Sequence, residues 1–350
     1  MHKIICGAVV AVLVCAGAQS YSKNRQVPES MPDWVNSPSS EFPQSRYMTA
    51  VGDAADRTSA GVKAVNALTA IFRQKVTSAT TASKRMERAE SSGKVGYTDN
   101  AQLDQNVKQQ VNEEDIIDVK ISLWWYDGKS TWYALATLDK PEASDIYSKM
   151  MEQNSAEIHA LINNIPKENA YSFDAYERYD FACEIAAVND RYMERLQVID
   201  PVKADSMRGS LVSLKQLKKD MIDLAQHIPV RMEITGDDTG RASGAFADVL
   251  ADNGFRTGNA GNERYVLSGS VALTQSQNQE GTLMYCNYVI NVYLTDTKNT
   301  MQLFPFEAHG RDGAKTYKDA SARIQIGMEK KIRSDFAAQL SAYLNSIPVE

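Results

Sequence analysis

The histidines and serines of this sequence could carry zinc-dependent or nucleophilic catalysis only at particular spacings. A zinc protease needs two histidines four residues apart on a helix, with a glutamate between them. His159, His227 and His309 are far apart in the sequence. A serine hydrolase elbow needs Gly-x-Ser-x-Gly, and the residue two positions before Ser243 is Arg241 rather than glycine. These spacings predict a non-enzymatic protein with no catalytic residue, no metal and no cofactor.

The glycine-rich segment 236–244 follows a predicted strand and precedes a predicted helix, which is where an anion or a metal could bind. It lacks the Lys-Ser/Thr pair of a P-loop, and its two adjacent aspartates would repel a phosphate. The pattern favours a helix cap, in which Asp237 or Asp238 accepts free backbone amides and Gly240 relaxes the turn. The alternative is a periplasmic ligand-binding or metal-dependent hydrolytic protein that uses Asp237, Asp238 and Asp312.

Three aromatic side chains, Trp34, Trp124 and Tyr126, are the candidates for an interaction surface. Trp124 and Tyr126 lie in a run with Trp125 on a predicted strand, where successive side chains point to opposite faces. Unless helices cover both faces, at least one of these side chains is exposed, and an exposed aromatic face is a docking surface. Burial in the core is the simpler interpretation of such a strand, and both stay open.

The N-terminus has the pattern of a secretory signal peptide. A basic start precedes the apolar run 4–14 and the small residues at 16–18. This run is shorter than the roughly 20 apolar residues that a permanent membrane span requires. We therefore expect export with cleavage after Ala18. Lipid attachment at Cys15 is the alternative, but a small residue usually precedes a lipidated cysteine and here the residue is Val14.

The composition is that of an ordinary globular protein. The chain has 350 residues, of which 38 are Lys or Arg and 44 are Asp or Glu, giving a net charge of −6. This excludes disordered and collagen-like classes and the broad basic surface of a nucleic-acid binder. At this length we expect roughly two domains. Cys183 and Cys286 remain after signal-peptide removal, and the sequence leaves open whether they pair or stay buried thiols.

The periodicity predicts an α+β fold of two small modules, with helices packed on antiparallel sheets, joined by a helical bundle or hairpin. The predicted parts are a signal peptide over 1–18, a proline-marked tether over 19–45, a first α+β domain over 46–140, a helical connector over 141–228 and a C-terminal α+β domain over 229–350.

Within these parts the patterns predict individual elements. In the first domain they are a strand at 47–51, a helix at 56–78 and a hairpin of strands 117–125 and 132–138 closed by an Asp127-Gly128 turn. In the connector they are helices near 142–163, 170–199 and 202–227. In the last domain they are strand 230–234, helix 241–253, strands near 264–274, 284–295 and 301–309, and a final helix over 315–346.

Several motifs between residues 32 and 76 are similar to those of a known family. They are the opening Pro32-Asp33-Trp34-Val35, the strand Tyr47-Met48-Thr49-Ala50-Val51-Gly52, and an Ala-rich helix ending in Phe72-Arg73-Gln74-Lys75-Val76. In these features residues 31–140 resemble the LPP20-type bacterial envelope lipoproteins. The resemblance implies a small α+β fold at the cell envelope, with no enzymatic activity established for the family and some members tied to flagellar outer-membrane structures. Family members often have a second glycine two residues after the first, where this chain has Ala54.

Together these patterns predict a non-enzymatic, exported bacterial cell-envelope protein that binds or assembles with other envelope components. Its location is the periplasm or the outer membrane, and an outer-membrane or flagellum-associated structure is one setting for it. Membrane contact is expected only if Cys15 is lipidated, and nucleic acid is not an expected partner. The sequence leaves a homo-oligomer open.

Overall fold

The computed structural model describes residues 30–91, 117–277 and 283–349. The predicted signal peptide with Cys15, the start of the tether and the polar stretch after residue 91 lie outside these residues. The chain divides into two compact units, the first with residues up to Ser155 and Ala187–Leu211, the second with Ala156–Ala186 and the part that follows Val212. Each combines helices with a sheet, which confirms the predicted α+β class.

The first unit contains a three-stranded antiparallel sheet in the order β1-β3-β2. Its elements are helix α1 (Asp33–Asn36), β1 (Tyr47–Ala54), α2 (Arg57–Ser91), β2 (Val119–Tyr126) and β3 (Trp132–Asp139). Helix α2 begins after Asp56, whose carboxylate accepts the backbone N–H of Ser59 at 2.9 Å. It continues well beyond the predicted end at residue 78.

Small residues let α2 lie directly on β1 and β3. Position 52 has room only for glycine, because a Cβ there would lie 2.2 Å from the backbone nitrogen of Ala64. Along the same helix face Ala60, Leu68 and Phe72 are buried. The alanine and glycine at the crossing therefore set a close approach, and the larger side chains further along fill the core.

Four helices follow β3: α3 (Lys140–Asn163), α4 (Phe173–Ile199), α5 (Pro201–Met207) and α6 (Leu214–Ala225). Residues of α3 and α4 belong to both units. Tyr147, Met151 and Leu196 lie in the same buried core as Leu68 and Leu138. The helical residues of the predicted connector over 141–228 are thus distributed between the two units.

The second unit contains a five-stranded sheet in the order β5-β4-β6-β7-β8. Its elements are β4 (Pro229–Thr235), α7 (Arg241–Asp252), β5 (Arg256–Gly258), β6 (Tyr265–Gln277), β7 (Met284–Asp296), β8 (Met301–Ala314), α8 (Tyr317–Lys331), a π-helical turn (Ile332–Phe336) and α9 (Ala337–Leu344). The strands from β6 to β8 are antiparallel, but β4 runs parallel to both neighbours. The predicted antiparallel pairing therefore holds for β6 to β8, whereas β4 differs from it because α7 acts as the crossover that parallel strands require.

Helices cover one face of this second sheet. Along β7 the even-numbered residues, such as Ile290 and Val292, are buried, while Val289, Asn291 and Tyr293 are exposed. Strands β7 and β8 contact α8 through the buried face. No helix within the three described ranges is long and apolar enough to cross a membrane.

Candidate interaction surface

Four side chains meet at the end of the first sheet, where β2 and β3 enter their connecting loop. They are Arg57, Trp124, Tyr126 and Trp132, here called the aromatic cluster. The rings of Tyr126 and Trp132 have centroids 5.0 Å apart. The Arg57 guanidinium carbon is 4.6 Å from the centroid of the Trp124 ring and 5.9 Å from that of Trp132. The arginine therefore makes cation–π contacts with two indoles.

The antiparallel register brings these rings to one face. Tyr126 lies opposite Trp132 and Trp124 lies opposite Ala134. Helix α2 passes below Trp124 at Gly61, where a Cβ would lie 2.7 Å from Cη2 of the indole. The glycine thus makes room for the indole, and the first turn of α2 brings Arg57 above it.

The loop between β2 and β3 is held by the side chain of Asp127. One carboxylate oxygen accepts the backbone N–H groups of Lys129, Ser130 and Thr131 at 2.8, 2.9 and 3.0 Å. These bonds, that of Thr131 first, lower the pKa of Asp127. The predicted hairpin is present, but its connection is a loop over 127–131 rather than a two-residue turn. The Tyr126 hydroxyl donates to the carbonyl of Lys129 at 2.9 Å, which fixes the ring.

The aromatic cluster is accessible to a partner. Tyr126 is 39% exposed, Arg57 is exposed, and Trp124 and Trp132 are half-buried. Tryptophan, tyrosine and arginine are the residue types that dominate the binding energy of protein interfaces. The sequence pattern singled out Trp124 and Tyr126 but missed Trp132 and Arg57. The cross-strand position of Trp132 across the hairpin could have identified it, whereas no local signal pointed to Arg57.

Trp34 is not part of this exposed surface, which corrects the predicted set. Its side chain is only 3% exposed, and the short helix α1 that carries it packs against β3. Trp34 lies outside the core cluster that α2 covers. The large apolar ring of Trp34 therefore anchors the N-terminal segment to the sheet rather than facing solvent.

The segment 236–244 forms a capped turn. Asp237 accepts the backbone N–H of Ser243 at 2.7 Å, which satisfies a free amide in the first turn of α7. Gly240 precedes the helix with a φ of 70° and provides no side-chain cap. Gly236 has a φ of 74°, and a Cβ there would lie 2.2 Å from the carbonyl oxygen of Val271. The cap interpretation is thus confirmed for Asp237, whereas Asp238 is exposed beside it.

Asp312 does not join the two aspartates of this turn. It lies opposite Cys286 on β7, which in turn lies opposite Gln275 on β6. The turn approaches β6 at Val271, so strand spacings of about 4.8 Å and rises of about 3.3 Å per residue place Asp312 on the order of 15 Å away. Its carboxylate accepts the N–H of Gly313 at 2.7 Å. The site proposed for a hydrolytic or ligand-binding alternative is therefore not assembled.

Metal binding and thiol reactivity both depend on where the His, Cys, Asp and Glu side chains lie. Within the described ranges no group of three or more His, Cys, Asp or Glu side chains is placed to hold a metal ion. Cys183 and Cys286 are separate, buried free thiols. Burial raises the pKa of Cys183 to about 12 and also raises the pKa of Cys286. Since the thiolate is the nucleophile, neither cysteine is activated for catalysis.

A polar cavity of about 460 Å³ lies within the first unit. Its lining includes the side chains of Lys140, Lys203, Ser144 and Asp200. The Asp200 carboxylate accepts the backbone N–H of Lys203 at 3.0 Å and the Ser144 hydroxyl at 3.3 Å, and the Lys140 ammonium donates to the carbonyl of Gln44 at 2.7 Å. These polar groups serve as caps and tethers within the fold.

Comparison with known proteins supports the resemblance found in the sequence. The sequence model of the LPP20 lipoprotein family matches residues 32–139. All four residues of the aromatic cluster lie within this segment. The resemblance to that family is thereby confirmed for the first sheet and its helix, and the match supports an exported envelope protein. No curated protein matches the chain.

Two solved structures are similar to parts of the chain. The secreted protein HP1454 from Helicobacter pylori is 10% identical, with 84% of this chain and 97% of that chain covered and a TM-score of 0.41. A minor lipoprotein from Acinetobacter baumannii is 14% identical, with 34% of this chain and 91% of that chain covered and a TM-score of 0.24.

Proposed function

We propose that this protein is a non-enzymatic, exported component of the bacterial cell envelope that binds other envelope components through its aromatic cluster. The observation that carries the proposal is the accessible group of Arg57, Trp124, Tyr126 and Trp132 inside the segment that matches a lipoprotein family. An outer-membrane or flagellum-associated assembly is the setting we propose, on the strength of the resemblance of residues 31–140.

The geometry of the aromatic cluster supports binding because its groups are held before a partner arrives. Asp127 fixes the loop, the Tyr126 hydroxyl is bonded to that loop, and Arg57 rests on Trp124. Ordering a side chain at an interface costs about 0.5–1.5 kcal/mol, and groups that are already ordered avoid this cost. A partner that offers apolar surface next to a carboxylate would complement the rings and the guanidinium.

The non-enzymatic part of the proposal rests on the roles of the groups that could react. Asp237 caps a helix and Asp127 closes a loop. Cys183 is a buried thiol with a raised pKa. The two aspartates therefore have structural roles that explain their positions, and burial disfavours the reactive thiolate form of the cysteine.

The location follows from how the N-terminal segment is processed. Cleavage after Ala18 would release the chain into the periplasm. Acylation of Cys15 would attach it to a membrane, and the family description as lipoproteins supports that route. In both forms the protein reaches the envelope, so both are compatible with the proposed binding.

Photo-crosslinking in cells tests the binding surface. A photoreactive amino acid replaces Lys129, which is exposed in the loop beside the aromatic cluster, and the matched control replaces Lys219, which is exposed on α6 in the second unit. We expect discrete adducts with envelope proteins from position 129, and their loss by at least fivefold when Tyr126→Ala is added. Equal adducts from both positions, or adducts that survive Tyr126→Ala unchanged, would contradict the proposal.

A further inference from the structure

Strand β8 forms one edge of the second sheet, and its alternate residues direct their backbone N–H and C=O groups out of that edge. The backbone N–H of Thr297 donates to the carbonyl of Arg264 at 2.7 Å, so odd-numbered residues of β7 direct their N–H and C=O groups towards β6. The backbone N–H and C=O groups of the even-numbered residues of β7 therefore point towards β8. Their hydrogen-bonding partners there are the even-numbered residues 304–314. The odd-numbered residues of β8 consequently direct their N–H and C=O groups away from the sheet.

The position of Pro305 is consistent with this alternation of backbone groups. Proline has no N–H, and inside a sheet it is tolerated where its nitrogen faces an open edge. Pro305 is odd-numbered and exposed, and the pairing of β8 with β7 continues on both sides of it. It blocks the first part of the edge against pairing, while the part that follows it keeps its donors and acceptors.

The open part of the edge carries charges in a symmetric arrangement. Glu307, His309 and Arg311 are exposed and share the outer face of the sheet. Glu307 therefore lies two residues before His309, and Arg311 lies two residues after it. The Arg311 guanidinium carbon is 4.0 Å from the centroid of the Tyr285 ring on β7, which holds this cation over the sheet.

We propose that β8 pairs antiparallel with β8 of a second copy of this chain, with the two-fold axis at His309. In this register Glu307 of each copy lies opposite Arg311 of the other, so two cross-strand ion pairs form. The backbone groups of residues 307, 309 and 311 then make about six hydrogen bonds across the seam. The two five-stranded sheets become one continuous sheet, which is the β-augmentation mode of recognition.

The charges select this register over the neighbouring symmetric ones. An axis at residue 308 places Glu307 opposite His309, and an axis at residue 310 places His309 opposite Arg311. An axis at residue 307 or 311 places two glutamates or two arginines opposite each other, so among these registers the axis at residue 309 alone sets Glu307 opposite Arg311. Like charges directly opposite destabilise a strand pair, whereas opposite charges stabilise it. The interface uses only the second unit and is independent of the aromatic cluster and of the function proposed for it.

A cysteine scan of the exported chain tests the register. His309→Cys places two thiols on the axis, where a hydrogen-bonded pair has a Cα–Cα distance of about 5.5 Å, within disulfide range. Glu307→Cys and Arg311→Cys are the matched controls, because each thiol would face a non-cysteine residue. The native Cys183 and Cys286 are buried and do not interfere. We expect disulfide-linked dimers of His309→Cys to form at least tenfold faster than those of either control. Equal rates, or a faster control, would overturn the proposed axis.

A charge exchange tests the ion pairs without cysteine chemistry. Sedimentation of the unmodified chain is expected to show a dimer whose fraction rises with concentration. Glu307→Arg alone and Arg311→Glu alone should each shift the protein to monomer, and the double variant should restore the dimer. A chain that is monomeric at every concentration, or a double variant that stays monomeric while its circular dichroism is native, would refute the interface.

Discussion

At the residue scale, polar side chains in this protein close the backbone at the ends of elements. Asp237 and Asp238 are adjacent and chemically identical, yet only Asp237 accepts a bond from the first turn of α7. The sequence predicted that one of the two would cap the helix and could not choose between them. The choice depends on the left-handed backbone at Gly236 and Gly240, which turns one carboxylate towards the helix and leaves the other in solvent.

The two aspartates are expected to contribute differently to the free energy of unfolding. Asp237→Ala should lower the free energy of unfolding by about 1 kcal/mol, since a helix cap is lost and an amide is left unsatisfied. Asp238→Ala serves as the control and should change it by less than about 0.5 kcal/mol. Urea unfolding followed by circular dichroism measures both. Equal losses from the two variants would show that Asp237 does not act as the cap.

The second residue-scale prediction concerns the helix crossing in the first unit. Gly52→Ala would place a methyl group 2.2 Å from the backbone of Ala64, so we expect a loss of stability of about 3 kcal/mol. Gly209→Ala meets no atom within 4 Å and should change stability by less than about 1 kcal/mol.

Urea unfolding followed by tryptophan fluorescence isolates this effect. The chain has four tryptophans, and all of them lie in the first unit, at positions 34, 124, 125 and 132. A Gly52→Ala variant with an unchanged midpoint would show that α2 does not approach β1 closely at this point.

At the element scale, local patterns located most helices and strands, and the differences have physical causes. Helix α2 passes the predicted end because polar Thr and Ser residues do not stop a helix without a glycine or proline. The three-residue β5 is too short to show a periodicity. The parallel pairing of β4 was missed because the direction of a strand depends on its neighbours in space, and the intervening α7 was the available indication.

The loop over 127–131 is an element whose stability should depend on pH. The backbone hydrogen bonds to Asp127 lower the pKa of that carboxyl in the folded state. Their contribution to the stability of the loop is therefore complete above the ordinary aspartate range near pH 4 and is lost as the pH falls through the lowered value.

Asp127→Ala should speed amide hydrogen exchange of Lys129, Ser130 and Thr131 by at least tenfold, because all three donors lose their acceptor.

Lys129→Ala is the matched control for this loop, because the backbone donor is kept and only the side chain is removed. Exchange measured by NMR on both variants gives the comparison. Unchanged exchange in Asp127→Ala would show that the carboxylate does not hold the loop.

At the scale of the whole molecule, the division of the chain depends on contacts that no local pattern contains. Leu196 packs in the same core as Leu68, more than a hundred residues earlier. Apolar stripes on α3 and α4 predicted that these helices are amphipathic but not which sheet each half would cover. Local patterns could not predict the complete aromatic cluster for the same reason, since Arg57 contacts Trp124 and Trp132 only once α2 has packed on the sheet.

The central claim, that this chain works in the bacterial envelope, is tested most directly by the intact mass of the protein recovered from its native host after fractionation. We expect the protein in the envelope or periplasmic fraction, with a mass that corresponds to a chain beginning at Gln19 or at an acylated Cys15. This single mass also decides between the two processing routes. A full-length chain that begins at Met1 and is recovered from the cytoplasm would contradict the claim.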